Sequence, residues 1–160
     1  MKKPYSHIKT GVIGVGSMGA YHVKHYSALS NLVAVSDLNE NIGKKVADEY
    51  GIIWYKNYED MLDKVDAVTI AVPTFFHYEV AKNVSKAGIN MLIEKPLSDS
   101  YDRGTKILNL ARDSGVKLSV GHIERYNPVI KYIKKLITSK NLGEIFTLVC
   151  RRFSSYPKRI

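Results

Sequence analysis

Three glycines constrain this chain more than any other feature. They stand in Gly11-Val12-Ile13-Gly14-Val15-Gly16-Ser17-Met18-Gly19-Ala20, after a basic, polar start from Met1 to Lys9. Val12, Ile13 and Val15 have the β-branched character of a buried strand. Gly14 permits a tight turn out of that strand. Gly16, without a side chain, lets a pyrophosphate approach the backbone. Gly19 lets the following helix pack closely on the strand. The N–H groups of that helix's first turn, at Ser17 and Met18 onward, and the helix dipole attract phosphate charge.

The glycine pattern alone also fits an ordinary Gly-rich turn, so its surroundings matter. Ser17 to Leu29 reads as a helix, with Met18, Tyr21, Tyr26 and Leu29 on its apolar stripe. Leu32-Val33-Ala34-Val35-Ser36-Asp37 reads as a second strand ending in an acid. Asp37 follows Gly19 by 37 − 19 = 18 positions. At a spacing of about 20, such an acid accepts hydrogen bonds from adenosine ribose hydroxyls. The alternative for Asp37 is a turn carboxylate. Strand, turn, helix, strand and acid in this order point to a dinucleotide. NAD is expected over NADP, because Asp37 repels a 2′-phosphate and Leu38-Asn39-Glu40 offers no cation.

The 160 residues suffice for one sizeable core, and 45% hydrophobic with 24% charged residues is ordinary for a globular protein. The sequence has no apolar run of spanning length and no signal-peptide core, so neither a membrane nor secretion is expected, and the cytoplasm is the simplest location. The single cysteine, Cys150, suggests neither a nucleophile nor a metal cluster. The net charge of +9 fits nucleic acid or anionic small molecules. Lys and Arg thicken only at Lys131 to Lys135 and at Arg151 to Arg159. The first cluster reads as the wet face of an amphipathic helix, and no nucleic-acid motif accompanies it, so nucleic acid is not expected.

Further along, Asn39 caps a helix to Tyr50 with Ile42, Val46 and Tyr50 inward, closed by Gly51. Gly51 to Tyr55 is a third strand, and Asn57 to Asp63 a short helix. Asp66 to Val72 is a strand covered on both faces and stopped by Pro73. Thr74 caps a helix from Phe75 to Ala87. Asn90 to Glu94 is a fifth strand, ended by Lys95-Pro96. Ser98 or Asp99 starts a helix to Ser114 with Tyr101, Ile107, Leu108 and Ala111 inward, and Lys117 to Val120 is a sixth strand. The alternation implies a doubly wound parallel α/β sheet of Rossmann type with helices on both faces. Ligands of such sheets lie beyond the strand C-terminal ends, where the glycines, Asp37, Pro73-Thr74, Glu94-Lys95 and Gly121-His122 all fall. Past Val120 the pattern changes. Asn127-Pro128 starts a helix to about Lys140 with Ile130, Ile133, Leu136 and Ile137 inward, and Gly143 to Phe153 alternates like a long strand. The expected division is 1–121, the nucleotide-binding domain, and 122–160, the first helix and strand of an incomplete second α+β domain. A strand without a ladder partner is expected to be disordered or to pair with another copy.

At Glu94-Lys95-Pro96 the chain resembles the glucose–fructose oxidoreductase and inositol dehydrogenase family (Gfo/Idh/MocA). Gly14-x-Gly16-x-x-Gly19, Ala71-Val72-Pro73-Thr74, His77 and Val120-Gly121-His122 carry the same resemblance. Gly121 to Pro128, Arg151-Arg152 and Tyr156-Pro157-x-Arg159-Ile160 look closest to its UDP-N-acetylglucosamine 3-dehydrogenase subfamily. The resemblance implies an NAD-dependent oxidoreductase moving a hydride between a hydroxyl carbon of a sugar or nucleotide sugar and NAD. It implies Lys95 as the catalytic residue on the reacting hydroxyl, Glu94 beside the nicotinamide ribose, and Val72, Pro73, Thr74, His77 and His122 along the cofactor. The alternatives are a solvated lysine for Lys95 and a first-turn helix residue for His77. Arg125 would meet a phosphate of cofactor or substrate, or form a surface ion pair. His22 and His25 read as structural. The family's acid/base histidine sits in an Asp-x-x-x-His segment absent from this sequence, so the chain alone is expected to bind cofactor without turnover. A small-molecule substrate and further copies of the chain are the expected partners. The competing readings are a non-catalytic NAD-binding module or redox sensor and a nucleic-acid-binding domain; a methyltransferase would leave Glu94-Lys95-Pro96 without a role.

Overall fold

A computed structural model describes residues 3–140, 142–151 and 153. They fall into two compact units, Met1–His122 and Ile123–Ile160. The first is a single sheet of six parallel strands in the order β3-β2-β1-β4-β5-β6. The strands are β1 Tyr5–Ile13, β2 Ser30–Ser36, β3 Ile53–Tyr55, β4 Ala67–Ile70, β5 Asn90–Ile93 and β6 Leu118–Val120. The helices are α1 Ser17–Leu29, α2 Glu40–Tyr50, α3 His77–Lys86 and α4 Tyr101–Asp113. This is the doubly wound Rossmann arrangement, whose switch point lies between β1 and β4. β1 begins earlier than the sequence indicates, because Tyr5 already pairs with Ser30 through an irregular register.

Adjacent residues of one strand face opposite cores. Val12 packs with Val23 of α1, Val35 and Ala47 of α2 on one side of the sheet. Ile13 packs with Ile70, Ile93, Val80 and Val84 of α3 and Ile107 and Ala111 of α4 on the other. Each such aliphatic side chain contributes about 1.5–3 kcal/mol on burial. Asn39 caps α2, its side chain accepting from the Ile42 N–H, and Gly51 ends that helix in the left-handed region at φ 65°.

Several local expectations are corrected. On α1 the buried residues are Gly19 and Val23, whereas Tyr21 and Leu29 are exposed. On α2 Ile42 is exposed and Gly43 and Ala47 are buried, because the Trp54 indole lies against Gly43 where a Cβ would collide with it. Thr74 caps nothing: it is the first residue of a 3-10 turn, Thr74–Phe76, and α3 starts only at His77. Ser100 caps α4, accepting from the Arg103 N–H, so Tyr101 and Leu108 point to solvent and Gly104 takes the inner face.

The second unit contains a 3-10 turn, Ile123–Tyr126, and α5, Pro128–Thr138. The Asn127 side chain accepts from the Val129 N–H and Pro128 is in the first turn, as the sequence implies. α5 fully buries no residue; Ile133 and Leu136 are half-buried, whereas Ile130 and Ile137 are exposed. Among the described residues of 143–153 there is no strand, which corrects the expected long one. Alternation creates two faces, but only a neighbouring strand supplies the ladder hydrogen bonds.

Candidate nucleotide-binding site

The strand ends are level. Ile13 pairs with Ser36 and with Ile70, Ile70 with Ile93, and Ile93 with Val120. One further rung continues past them. The N–H groups of Gly14, Asp37, Ala71, Glu94 and Gly121 donate to the carbonyls of Ser36, Tyr55, Ile13, Ile70 and Ile93, at 2.7–3.3 Å. The residues marked by sequence are therefore held in one row by the sheet itself, which sets their spacing without help from side chains.

At the switch point each glycine meets a distinct demand. Gly14 has φ 83°, and a Cβ there would lie 2.9 Å from the Ala71 carbonyl group. Gly19 faces the Gly14 carbonyl oxygen so closely that any side chain would collide with it. A Cβ on Gly16 would meet nothing within 4 Å. That open space lies directly before α1, which has no side-chain cap and no acid in its first turn. A helix start left bare of its own anion, with room in front, fits a phosphate group.

From here a cavity of about 910 Å³ spreads along the sheet edge. Gly14, Gly16, Ser17, Met18, Asp37, Val72 and Pro73 line it. So do Ser36, Leu38, Lys56, Asn57, Tyr58, Asp60, Phe76, Glu79 and Val80, which sequence reasoning did not mark as site residues. The size suits a large small-molecule ligand. The signal that would have found Lys56 to Tyr58 is topological: they follow β3, the neighbour of β2, and so share its C-terminal edge. Asp37 is half-buried, its Oδ2 accepting from the Val15 N–H at 2.9 Å and its Oδ1 from the Asn39 N–H at 2.8 Å. Burial pushes the Tyr58 hydroxyl pKa up, partly offset by the hydrogen bond from Asn83.

The remaining marked residues lie outside the cavity lining. Thr74 is half-buried in the 3-10 turn after Pro73. His77 is 1% exposed. Its Nε2 lies 2.9 Å from the Val72 carbonyl oxygen, and its Nδ1 lies 3.0 and 3.2 Å from those of Pro96 and Leu97. It ties the Val72–Pro73 wall to the loop after Lys95 rather than facing the cavity. Glu94 is 7% exposed and meets His22, with Nε2 to Oε1 at 2.8 Å. Lys95 and His122 are exposed at the β5 and β6 ends, and Arg125 is exposed in the second unit.

Fold and site together define a Rossmann domain with a nucleotide-sized cavity at its switch point. The sequence model described as "Oxidoreductase family, NAD-binding Rossmann fold" matches residues 8–122. The chain belongs to this Gfo/Idh/MocA family. It is 36% identical over 129 residues to UDP-N-acetylglucosamine 3-dehydrogenase of Acidithiobacillus ferrooxidans, covering 81% of this chain and 41% of that protein. It is 33% identical over 149 residues to inositol 2-dehydrogenase of Rubrobacter xylanophilus, covering 89% and 43%. The solved structure of the Acidithiobacillus enzyme aligns with a TM-score of 0.77, covering 80% of this chain and 42% of that one. Scyllo-inositol dehydrogenase of Lactobacillus casei, solved with NAD(H) and scyllo-inositol, aligns at 0.80 with 22% identity, covering 86% and 42%; this is a likeness of fold. The chain spans less than half the length of each of these relatives.

Proposed function

We propose that the chain is the cofactor-binding part of an NAD-dependent dehydrogenase acting on a hydroxyl-bearing carbon of a sugar or nucleotide sugar. The observation that carries this is the open space at Gly16, before the start of α1, which has no side-chain cap, at the sheet end whose row of backbone bonds includes Gly14 and Glu94. The N–H groups of α1 would hold the pyrophosphate, and Asp37 the adenosine ribose hydroxyls through its remaining lone pairs. Val72 and Pro73 supply an apolar wall. A nicotinamide cofactor, when bound, supplies hydride exchange. Lys95 would hold and release the hydroxyl proton at its Nζ, just past the C-terminal end of β5. The nucleotide-sugar reading rests on the likeness to the Acidithiobacillus enzyme and on Gly121 to Pro128.

The test is Lys95→Ala in the native protein, with UDP-N-acetylglucosamine and myo-inositol as probe substrates. It should lower kcat by about two orders of magnitude or more, as for loss of a general acid–base group. NADH affinity, read from its fluorescence, should change far less. Unchanged turnover would remove Lys95 from the chemistry. Failure of NADH to bind would remove the dehydrogenase reading itself.

A further inference from the structure

The inward face of α1 carries Gly19, His22, Val23 and Tyr26, and its two polar members reach across the sheet end. The Tyr26 hydroxyl meets Thr69 Oγ1 on β4 at 2.7 Å. One turn nearer the glycines, His22 Nε2 meets Glu94 Oε1 at 2.8 Å, the two side chains being 19% and 10% exposed. A carboxylate only accepts, so this contact places a proton on Nε2. The second oxygen, Oε2, accepts from the Lys95 N–H at 3.1 Å. Gly121 closes the remaining side: a Cβ there would lie 3.0 Å from Oε2 and 3.2 Å from Oε1.

Stability does not explain this arrangement. Taking a carboxyl group out of water is costly, and a buried pair such as His22–Glu94 replaced whole by apolar residues of similar volume is often as stable or more so. Each donor instead leads to a part of the site. His22 comes from the helix whose start faces the open space at Gly16. The Lys95 N–H belongs to the residue that presents its ammonium group at the edge of the sheet. The His22 bond to Oε1 restrains rotation of the carboxyl group, and the bond to Oε2 in turn restrains the Lys95 backbone.

We propose that His22 is a positioning residue for Lys95, acting through the Glu94 carboxyl group. It ties the aim of the lysine to the placement of the phosphate-facing helix. This rests on the reading of Lys95 as the group that handles the hydroxyl proton.

Three variants of the native protein test it: His22→Leu, His22→Gln and Lys95→Ala. The readouts are amide hydrogen exchange at Lys95, NADH affinity, and kcat and KM with UDP-N-acetylglucosamine as probe. Misplacing a reacting group by a fraction of an ångström should cost His22→Leu about tenfold or more in kcat, with KM and NADH affinity within about threefold. Lys95 amide exchange should rise by about tenfold as the bond to Oε2 loosens. Glutamine carries an N–H about as far from Cβ as Nε2 does, so His22→Gln should restore both. A folded His22→Leu protein with unchanged Lys95 exchange, or a glutamine variant no better than leucine, overturns the proposal. If the leucine variant does not fold, His22→Asn, polar but one bond too short to reach Glu94, takes its place under the same criteria. Full turnover in Lys95→Ala overturns the reading of Lys95, and this inference with it. Inactive Lys95→Ala beside unchanged exchange in His22→Leu overturns this inference alone.

Discussion

Both carboxylate oxygens of Asp37 are engaged by the chain's own backbone, one at the glycine turn and one at the start of α2. The residue is therefore a brace, in addition to the ribose-binding role proposed for it. Hydrogen bonds to a charged group contribute about 1.5–3 kcal/mol, and losing them frees the Val15 N–H and the turn around it. Asp37→Ala should weaken NADH at least tenfold and weaken NADPH too, since the turn serves both. Asp37→Asn keeps one of the two acceptors and removes the charge, so the gap between NADH and NADPH should narrow, with an NADH loss smaller than that of Asp37→Ala. Fluorescence titration of both cofactors checks this. An alanine variant that binds NADPH more tightly than the unmodified chain would contradict the bracing role. At this scale the sequence was legible where one residue type answers one demand, as glycine does at 14 and 19. It was not legible where chain-distant backbone decides the role. His77 is bound by carbonyls from positions 72, 96 and 97, and no local pattern announces that.

At the scale of elements, α1 is bolted to β4 by the Tyr26–Thr69 bond. Burial pushes the Tyr26 pKa above its ordinary 10.0, against the opposing hydrogen bond with Thr69. The protonated phenol is thus favoured in the folded state. Its contribution is fully present below pH 10.0 and is lost as pH rises through the raised folded value. Unfolding by urea should show stability falling at alkaline pH, with a smaller fall in Tyr26→Phe. That variant should also cost about 1–2 kcal/mol at neutral pH, because Thr69 is 0% exposed and its hydroxyl loses its partner. An alkaline profile identical in both proteins would refute the assignment. Strand and helix order were legible because periodicity and capping are local. Which stripe of a helix faces in was less so. Gly19, Gly43 and Gly104 mark the buried faces of α1, α2 and α4, where close approach matters more than apolarity. The long strand at 143–153 failed for the converse reason, since its pattern is local and its ladder would not be.

The whole molecule is unequal in its two units. Every residue of both core clusters lies between Val12 and Leu118, whereas α5 fully buries none. Phe146, Leu148, Val149 and Phe153 are 71–90% exposed. The sheet, its covering helices and the cavity lining are complete within Met1–His122. Chain that buries little apolar surface, here only the half-buried Ile133 and Leu136 of α5, adds little to a cooperative transition and opens at low free energy. Amides at 123–140 should therefore exchange within seconds to minutes, while those of β1, β4 and β5 exchange only on global unfolding. A chain ending at His122 should keep its melting temperature within about 3 °C and its NADH affinity within about twofold, since stability changes of a few tenths of a kcal/mol move Tm by only a few degrees. Exposed apolar side chains favour association, so the shortened chain should also sediment as a monomer at concentrations where the 160-residue chain self-associates. A shortened chain that melts 10 °C lower or loses NADH would show that residues after His122 support the fold or the cofactor site.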